Sequence, residues 1–285
     1  VTAPVIKVIT DSVCDVPVDV AARLDITVVP AVVNIGQESY LDDGIQITRE
    51  EFYRRLPTLR ELPTTSACPL GVTQELMAAK AAEADHLILI TTPAHLSGIY
   101  NTFHVAAEAV APGRYTLIDS GQITMGMGFL VIAAAEAAAA GADVAAIRAI
   151  LDQMQPRIHV FGALNTLENL RKSGRIGWAM AITSQLLQIK PLIEVTQGKV
   201  TPLARIRTFK RATERLRQLA LDLAPLERLA VLHTGNPEGA EALRDSLAAV
   251  FPPAQTPVVH VNPALGTHVA ARGLGIALVT QSQAN

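Results

Sequence analysis

Val5-Ile6-Lys7-Val8-Ile9-Thr10-Asp11-Ser12 reads as a β-branched run that ends in two polar residues and gives way, over 17–24, to a helical pattern. β-Branched side chains are stiff at χ1 and fit a pleated surface. A strand apolar on both faces, closed by a polar end and followed by a helix, is the pattern of a parallel sheet covered on both sides. The unit recurs downstream. A strand over 85–91 leads to the turn Leu96-Ser97-Gly98-Ile99-Tyr100 and a helix over 101–111, and a strand over 115–118 ends in Asp119-Ser120. The expected fold is therefore α/β, with a three-layer N-terminal domain over 1–156 built on a parallel sheet.

Between these units the pattern predicts a strand region over 26–35, a turn at Tyr40-Leu41-Asp42-Asp43-Gly44, and a helix running to about residue 56 with Thr48 as its cap ahead of Glu50 and Glu51. Helices are predicted over 71–84, 121–140 and 143–155, the last ended by Pro156. The stretch 126–141 is the most apolar in the chain. It is Ala-rich, carries Glu136 and is short for a membrane span, so it reads as a buried helix. Beyond Pro156 the pattern changes to strands over 158–163, 192–196, 200–205, 229–233 and 256–261, separated by helices over 164–171, 178–187, 209–223 and 237–251. Gln197-Gly198 is a hairpin signal. An antiparallel pair within an alternating pattern predicts a second, two-layer α/β domain over 157–285 with a mixed sheet.

The 285 residues are enough for two cores. A hydrophobic fraction of 49% with only 4% aromatic residues supplies few stacking platforms, and a net charge of −2 gives no general attraction to phosphate backbones, so no nucleic-acid partner is expected. No integral membrane segment is expected either. Cys14 and Cys68 form neither a metal-ligand spacing nor a disulfide framework, which points to a reducing cytoplasm and to packed thiols. The opening residues have no basic region, apolar stretch or cleavage site, so a signal peptide is not expected in the chain as it stands.

A second stretch concentrates hydroxyls: Thr64-Thr65-Ser66-Ala67-Cys68-Pro69-Leu70, between Pro63 and Pro69. It reads as a stiff extended entry into a helix, its hydroxyls available either to cap that helix or to donate to an anion held at its end. Ligands of open parallel sheets sit beyond the carboxyl ends of the strands. Asp11-Ser12, Thr65-Ser66, Ser97-Gly98 and Asp119-Ser120 are all expected at that edge. The chain has no Gly-x-Gly-x-x-Gly fingerprint and no Walker pattern, so no nucleotide cofactor is expected.

Thr10-Asp11-Ser12, Thr65-Ser66 with Pro69, Ser97-Gly98-Ile99-Tyr100, Ile118-Asp119-Ser120, Leu170-Arg171-Lys172-Ser173-Gly174-Arg175-Ile176, Ile189-Lys190-Pro191 and Gly266-Thr267-His268 resemble, in this order, the motifs of the DegV family. The resemblance spans nearly the whole chain. It implies a non-catalytic bacterial protein that buries a long-chain fatty acid between two α/β domains, without any cofactor, and in some members presents the carboxylate to a partner fatty acid kinase. Carried over residue by residue, it makes Thr65 and Ser97 the hydroxyls that hold the carboxylate, with Arg175 and His268 completing the network. Two departures stand out. Ile99 replaces the usual Thr, and Val269-Ala270-Ala271-Arg272-Gly273 follows His268 where the family is rich in Gly and Pro; Arg272 is a candidate substitute charge.

The competing reading is an esterase-like hydrolase with Ser97 or Ser12 as nucleophile, His268 as base and Asp11 or Asp119 as its orienting carboxylate; His95, near Ser97, is a further candidate. The Gly-x-Ser-x-Gly elbow is absent, since the sequence around Ser97 is Ala94-His95-Leu96-Ser97-Gly98-Ile99-Tyr100.

Overall fold

The structure, a computed structural model, describes residues 4–174 and 189–282. In chain order the first half runs β1 (Ile6–Asp11), α1 (Val18–Arg23), β2 (Ile26–Val29), β3 (Val32–Ile35), β4 (Glu38–Leu41), α2 (Arg49–Arg55), β5 (Thr64–Ser66), α3 (Leu70–Ala81), β6 (His86–Thr91), α4 (Ile99–Val110), β7 (Tyr115–Asp119), α5 (Thr124–Ala139) and α6 (Val144–Met154). The second runs β8 (Ile158–Ala163), α7 (Glu168–Ser173), β9 (Lys190–Thr196), β10 (Lys199–Ile206), α8 (Phe209–Asp222), β11 (Leu226–His233), α9 (Pro237–Ser246), β12 (Val258–His260), α10 (Pro263–Val269) and β13 (Leu274–Thr280). The helix expected over 178–187 lies outside the described residues.

The first half is an α/β unit on a four-stranded sheet of order β2-β1-β6-β7, parallel throughout. Five of the six residues of β1 and of β6 are buried, the mark of strands covered on both faces. Helices α3 and α4 pack on each other and on β6, while α5 packs on β1 and β6. Thr48 caps α2 as expected, accepting from Glu51 N–H, and Asp143, expected as the first residue of its helix, caps α6 by accepting from Ala146 N–H.

The second half is a mixed sheet of order β10-β9-β8-β13-β11-β12, antiparallel except for the β11/β12 pair. Its side chains alternate cleanly between two cores. Val160, Ala230, Leu232, Ala277 and Val279 join the core of the first half, and Phe161, Leu229, Val231, Ile276 and Leu278 form a second core with α8 and α9. The element that covers the first of these faces is α5, which touches β8 and β13 as well as β1 and β6. Every residue of α5 from Thr124 to Ala135 is buried, which is why this helix is apolar all round. Among the described residues no helix is long and apolar enough to cross a membrane.

Several local expectations change. The strand region over 26–35 is two strands in different sheets, β2 in the parallel sheet and β3 in a small antiparallel sheet of order β4-β3-β5. Thr64–Ser66, expected as an extended entry into a helix, is extended as the β5 strand of that small sheet, and α3 follows from Leu70 with Pro69 at its cap position, so none of the hydroxyls caps it. Strand β13 and helix α10 were not anticipated. β13 is a short buried run near the chain end, and α10 is capped by Asn262, followed by Pro263 at the first helical position.

The packing of α5 depends on small residues where it meets backbone. A Cβ on Gly128 would lie 2.7 Å from the carbonyl oxygen of Cys14. Gly128→Ala gains roughly 1 kcal/mol of helix propensity but forces α5 away from the turn after β1, an overlap costing about 1–3 kcal/mol. A net fall in the urea midpoint with unchanged slope is expected; a rise would refute the close approach.

Candidate functional site

The loop that follows β6 is tied down from both sides by the acids at neighbouring strand ends. Asp11 accepts from the backbone N–H of Thr92 at 2.7 Å and from its hydroxyl at 2.8 Å. Asp119 accepts from Ala94 N–H at 3.0 Å and from Gly121 N–H at 2.9 Å. Burial pushes the Asp11 carboxyl up to about 6, against the hydrogen bonds from Thr92 and Val13. These two acids thus shape the loop that carries Ser97. Ser12 and Ser120 are engaged in the same way: Ser12 Oγ donates to Asp42 at 3.0 Å and accepts from Ala31 N–H, and Ser120 Oγ donates to the carbonyl of Gln122. Of the four polar turns expected to face a ligand, two therefore serve the fold.

The other two meet at a cavity. Thr65 and Ser66 reach it from β5, Ser97 and Gly98 from the turn before α4, and His268 from the last turn of α10. Thr65 Oγ1 lies 3.1 Å from His268 Nε2. Ser97 Oγ accepts from Ile99 N–H at 3.3 Å, which leaves its own proton free to donate. The N-terminus of α4, with Gly98 as a cap residue that makes no side-chain cap hydrogen bond, lies at the cavity, which Gly98 and Ile99 both line. The remaining wall is aliphatic, with Val13, Ile123 and Ile99 from the first half opposite Leu170, Ile193 and Val195 from the second. The cavity encloses about 860 Å³ of atom-free space, its open mouth included. Arg175 lies outside the described residues.

The β9/β10 hairpin closes one side. Its tip residues Gln197 and Gly198 have φ of 47° and 75°, as a type I′ turn requires. Gly198 N–H donates to the carbonyl of Gly121, and the Gly198 carbonyl is hydrogen-bonded to His95 Nε2. A Cβ on Gly198 would lie 2.5 Å from His95 Cε1. His95 therefore anchors the hairpin rather than pairing with Ser97. Thr92 is a further cavity residue that the sequence reading passed over; its position directly after a buried strand was the available signal.

Ile99 is 2% exposed and lines the cavity, so the departure from Thr replaces a hydroxyl by apolar wall beside Ser97. The departure after His268 has a backbone consequence. Ala270 sits at φ 65°, ψ 176° and Arg272 at φ 66°. The Ala270 conformation is one that only glycine adopts without strain of about 1–3 kcal/mol. Ala270→Gly should raise the melting temperature by the equivalent of about 1 kcal/mol, because the relief exceeds the added freedom of the unfolded chain. A lower melting temperature would contradict this backbone assignment.

Over residues 5–281 the chain matches the family model described as an uncharacterised protein of the DegV family. A DegV domain-containing protein of Streptomyces coelicolor is 32% identical over 276 residues, covering 95% of this chain and 97% of that relative. Among solved structures, one described as fatty acid binding of a DegV family protein from Thermus thermophilus superposes with a TM-score of 0.87 at 29% identity, covering 97% of this chain and 99% of the other. DegV, a fatty acid binding protein from Bacillus subtilis, superposes with a TM-score of 0.87 at 27% identity, covering 98% of this chain and 100% of its own. With its parallel and mixed sheets in the same arrangement and its sequence matched almost end to end, the chain belongs to the DegV family.

Proposed function

We propose that this protein is a lipid carrier: it binds a long-chain fatty acid in the cavity between the unit over 1–156 and the unit over 157–285, with Thr65, Ser97, His268 and Arg175 around the carboxylate. The observation that supports this most directly is the chemistry of the wall, aliphatic except for Thr65, Ser66, Thr92, Ser97 and His268, of which Thr65 and His268 are hydrogen-bonded to each other. A carboxylate accepts from hydroxyls, imidazole and helix N–H groups, and each such bond to a charged group is worth about 1.5–3 kcal/mol. The acyl chain contributes about 0.8 kcal/mol per buried CH₂ before ordering costs. The protein's role in this reading is to hold the ligand and not to transform it. The hydrolase reading gains nothing from the geometry, since the Ser12 hydroxyl donates to Asp42 and His268 is paired with Thr65.

The carrier reading extends to a partner. A carboxylate held at the cavity is a substrate for an ATP-dependent kinase that forms an acyl phosphate. Arg205, Arg207, Lys210 and Arg211, from the end of β10 to the first turn of α8, are all exposed. They form a local positive field on a chain of net charge −2, suited to steering a partner of opposite charge.

Two measurements test these readings. Thr65→Ala and Ser97→Ala should each weaken fatty-acid binding by about 1–3 kcal/mol and leave the affinity for a fatty alcohol of equal length unchanged; unchanged acid affinity in both variants by a fluorescent-lipid titration would sink the assignment. Charge reversal at Arg207 and Lys210 together should slow kinase-coupled acyl-phosphate formation on the order of tenfold, through association rate and in a salt-dependent manner, at constant lipid affinity. A parallel loss of lipid affinity would place these residues in the service of the pocket, and no change at all would leave them a solvated face.

A further inference from the structure

His268 reaches the cavity at the end of α10, and α10 is held at its start by groups from the first half of the chain. Asn262, its cap, is fully buried, and its backbone N–H donates to Asp15 Oδ1 at 2.9 Å. Pro263 has no N–H. Ala264 N–H points at Asp42 Oδ2 at 3.4 Å, and Leu265 N–H donates to Asn262 Oδ1 at 2.8 Å. Every N–H at the start of the helix is thus accounted for, two of them by carboxylates more than two hundred residues away in sequence.

Each carboxylate is itself fixed. Asp15 lies 3.0 Å from the Arg49 guanidinium and accepts from the Thr124 hydroxyl at 2.7 Å. Asp42 accepts from Ser12 Oγ at 3.0 Å. The helix is also pressed from α2: a Cβ on Gly266 would lie 2.3 Å from Tyr53 Oη and 3.0 Å from Phe52 Cε1, so only glycine lets these rings meet the helix backbone. From α7, Asn169 Nδ2 donates to the carbonyl of Thr267 at 3.0 Å.

This arrangement is expensive. Asp15 is buried against the Arg49 guanidinium, and burial pushes Asp42 up to about 7 although the Arg49 charge acts the other way. Asp15 and Thr124, the two ends of one of its hydrogen bonds, sit at φ 54° and 46°, and strain of this kind persists only where the surroundings over-determine it. A buried ion cluster is weak evidence for stability. What it holds, the start of the helix that carries His268 in its last turn, explains it better.

We propose that Asp15 and Asp42 are positioning residues of the lipid site, fixing the N-terminus of α10 and so setting His268 opposite Thr65. This rests on the fatty-acid reading of the cavity. Neither acid is among the residues lining the cavity, so their effect on a ligand passes through α10.

A double-mutant cycle between Asp42 and His268 tests it, read by titration with a fatty acid and with the matching fatty alcohol. Asp42→Ala should weaken acid binding about tenfold and alcohol binding by less than twofold, while Asp42→Asn, which keeps an oxygen for Ala264 N–H, should restore most of the acid affinity. In the His268→Ala background, Asp42→Ala should cost no more than about twofold. The imidazole resonances of His268 should shift in Asp42→Ala and return in Asp42→Asn. If Asp42→Ala does not fold, Ser12→Ala, which removes the hydroxyl that donates to the Asp42 carboxylate, carries the same cycle with the same outcomes. Should His268→Ala itself leave acid affinity unchanged, the lipid-site reading falls and the positioning role with it. Should His268→Ala weaken acid binding while Asp42→Ala costs the same in both backgrounds, or costs acid and alcohol equally, the positioning role alone is overturned.

Discussion

The burial of α5 between two sheets is the constraint on which the rest of the molecule depends. The parallel sheet needs a layer on the face opposite α3 and α4, and the mixed sheet needs one on the face opposite α8 and α9. One helix serves both. Its residues contact β1 and β6 on one side and β8 and β13 on the other, and small residues at Gly126 and Gly128 allow approach to Val160 and to the backbone of Cys14. Because protein interiors are close-packed, a helix shared in this way fixes the separation of the two sheets and leaves little room for either to drift.

With that separation fixed, the cavity forms where the loops beyond the parallel strands meet elements of the second half. The polar side chains around it divide into two groups. Asp11, Ser12, Asp119 and Ser120 are consumed in hydrogen bonds that shape turns and strand ends, whereas Ser97 and the hydrogen-bonded pair Thr65 and His268 line an otherwise mostly aliphatic cavity. The division follows from position. The first four sit directly at the ends of parallel strands, where buried backbone groups demand partners. The others arrive from the edge of a small sheet, from a helix entry and from the end of a short helix.

Much of this was legible in the residues. Strands β1, β6 and β7, the cap Thr48, the Gln197-Gly198 hairpin and the buried character of α5 follow from β-branched runs, a local side-chain acceptor, positive-φ turn chemistry and all-round apolarity. Each of those signals is local. The small sheet was not legible, because β4 and β5 are three or four residues long and carry no periodicity of their own. Helix α10 was also missed: it is seven residues long, and its stability comes from carboxylates and rings brought up by distant parts of the chain.

The sequence by itself determined the alternation of strands and helices, the change from parallel to mixed sheet near Pro156, and the identity of the residues matching the DegV motifs, since each is carried by neighbours a few positions apart. Only the tertiary structure decided which polar residues are spent on the fold and which face the cavity. It also decided that α5 is common to two cores, and that the helix bearing His268 is held by Asp15 and Asp42. Those facts depend largely on contacts between distant residues, from 30 positions apart for Ser12 and Asp42 to 247 for Asp15 and Asn262, and a one-dimensional pattern carries no record of which distant acceptor will satisfy a given buried N–H.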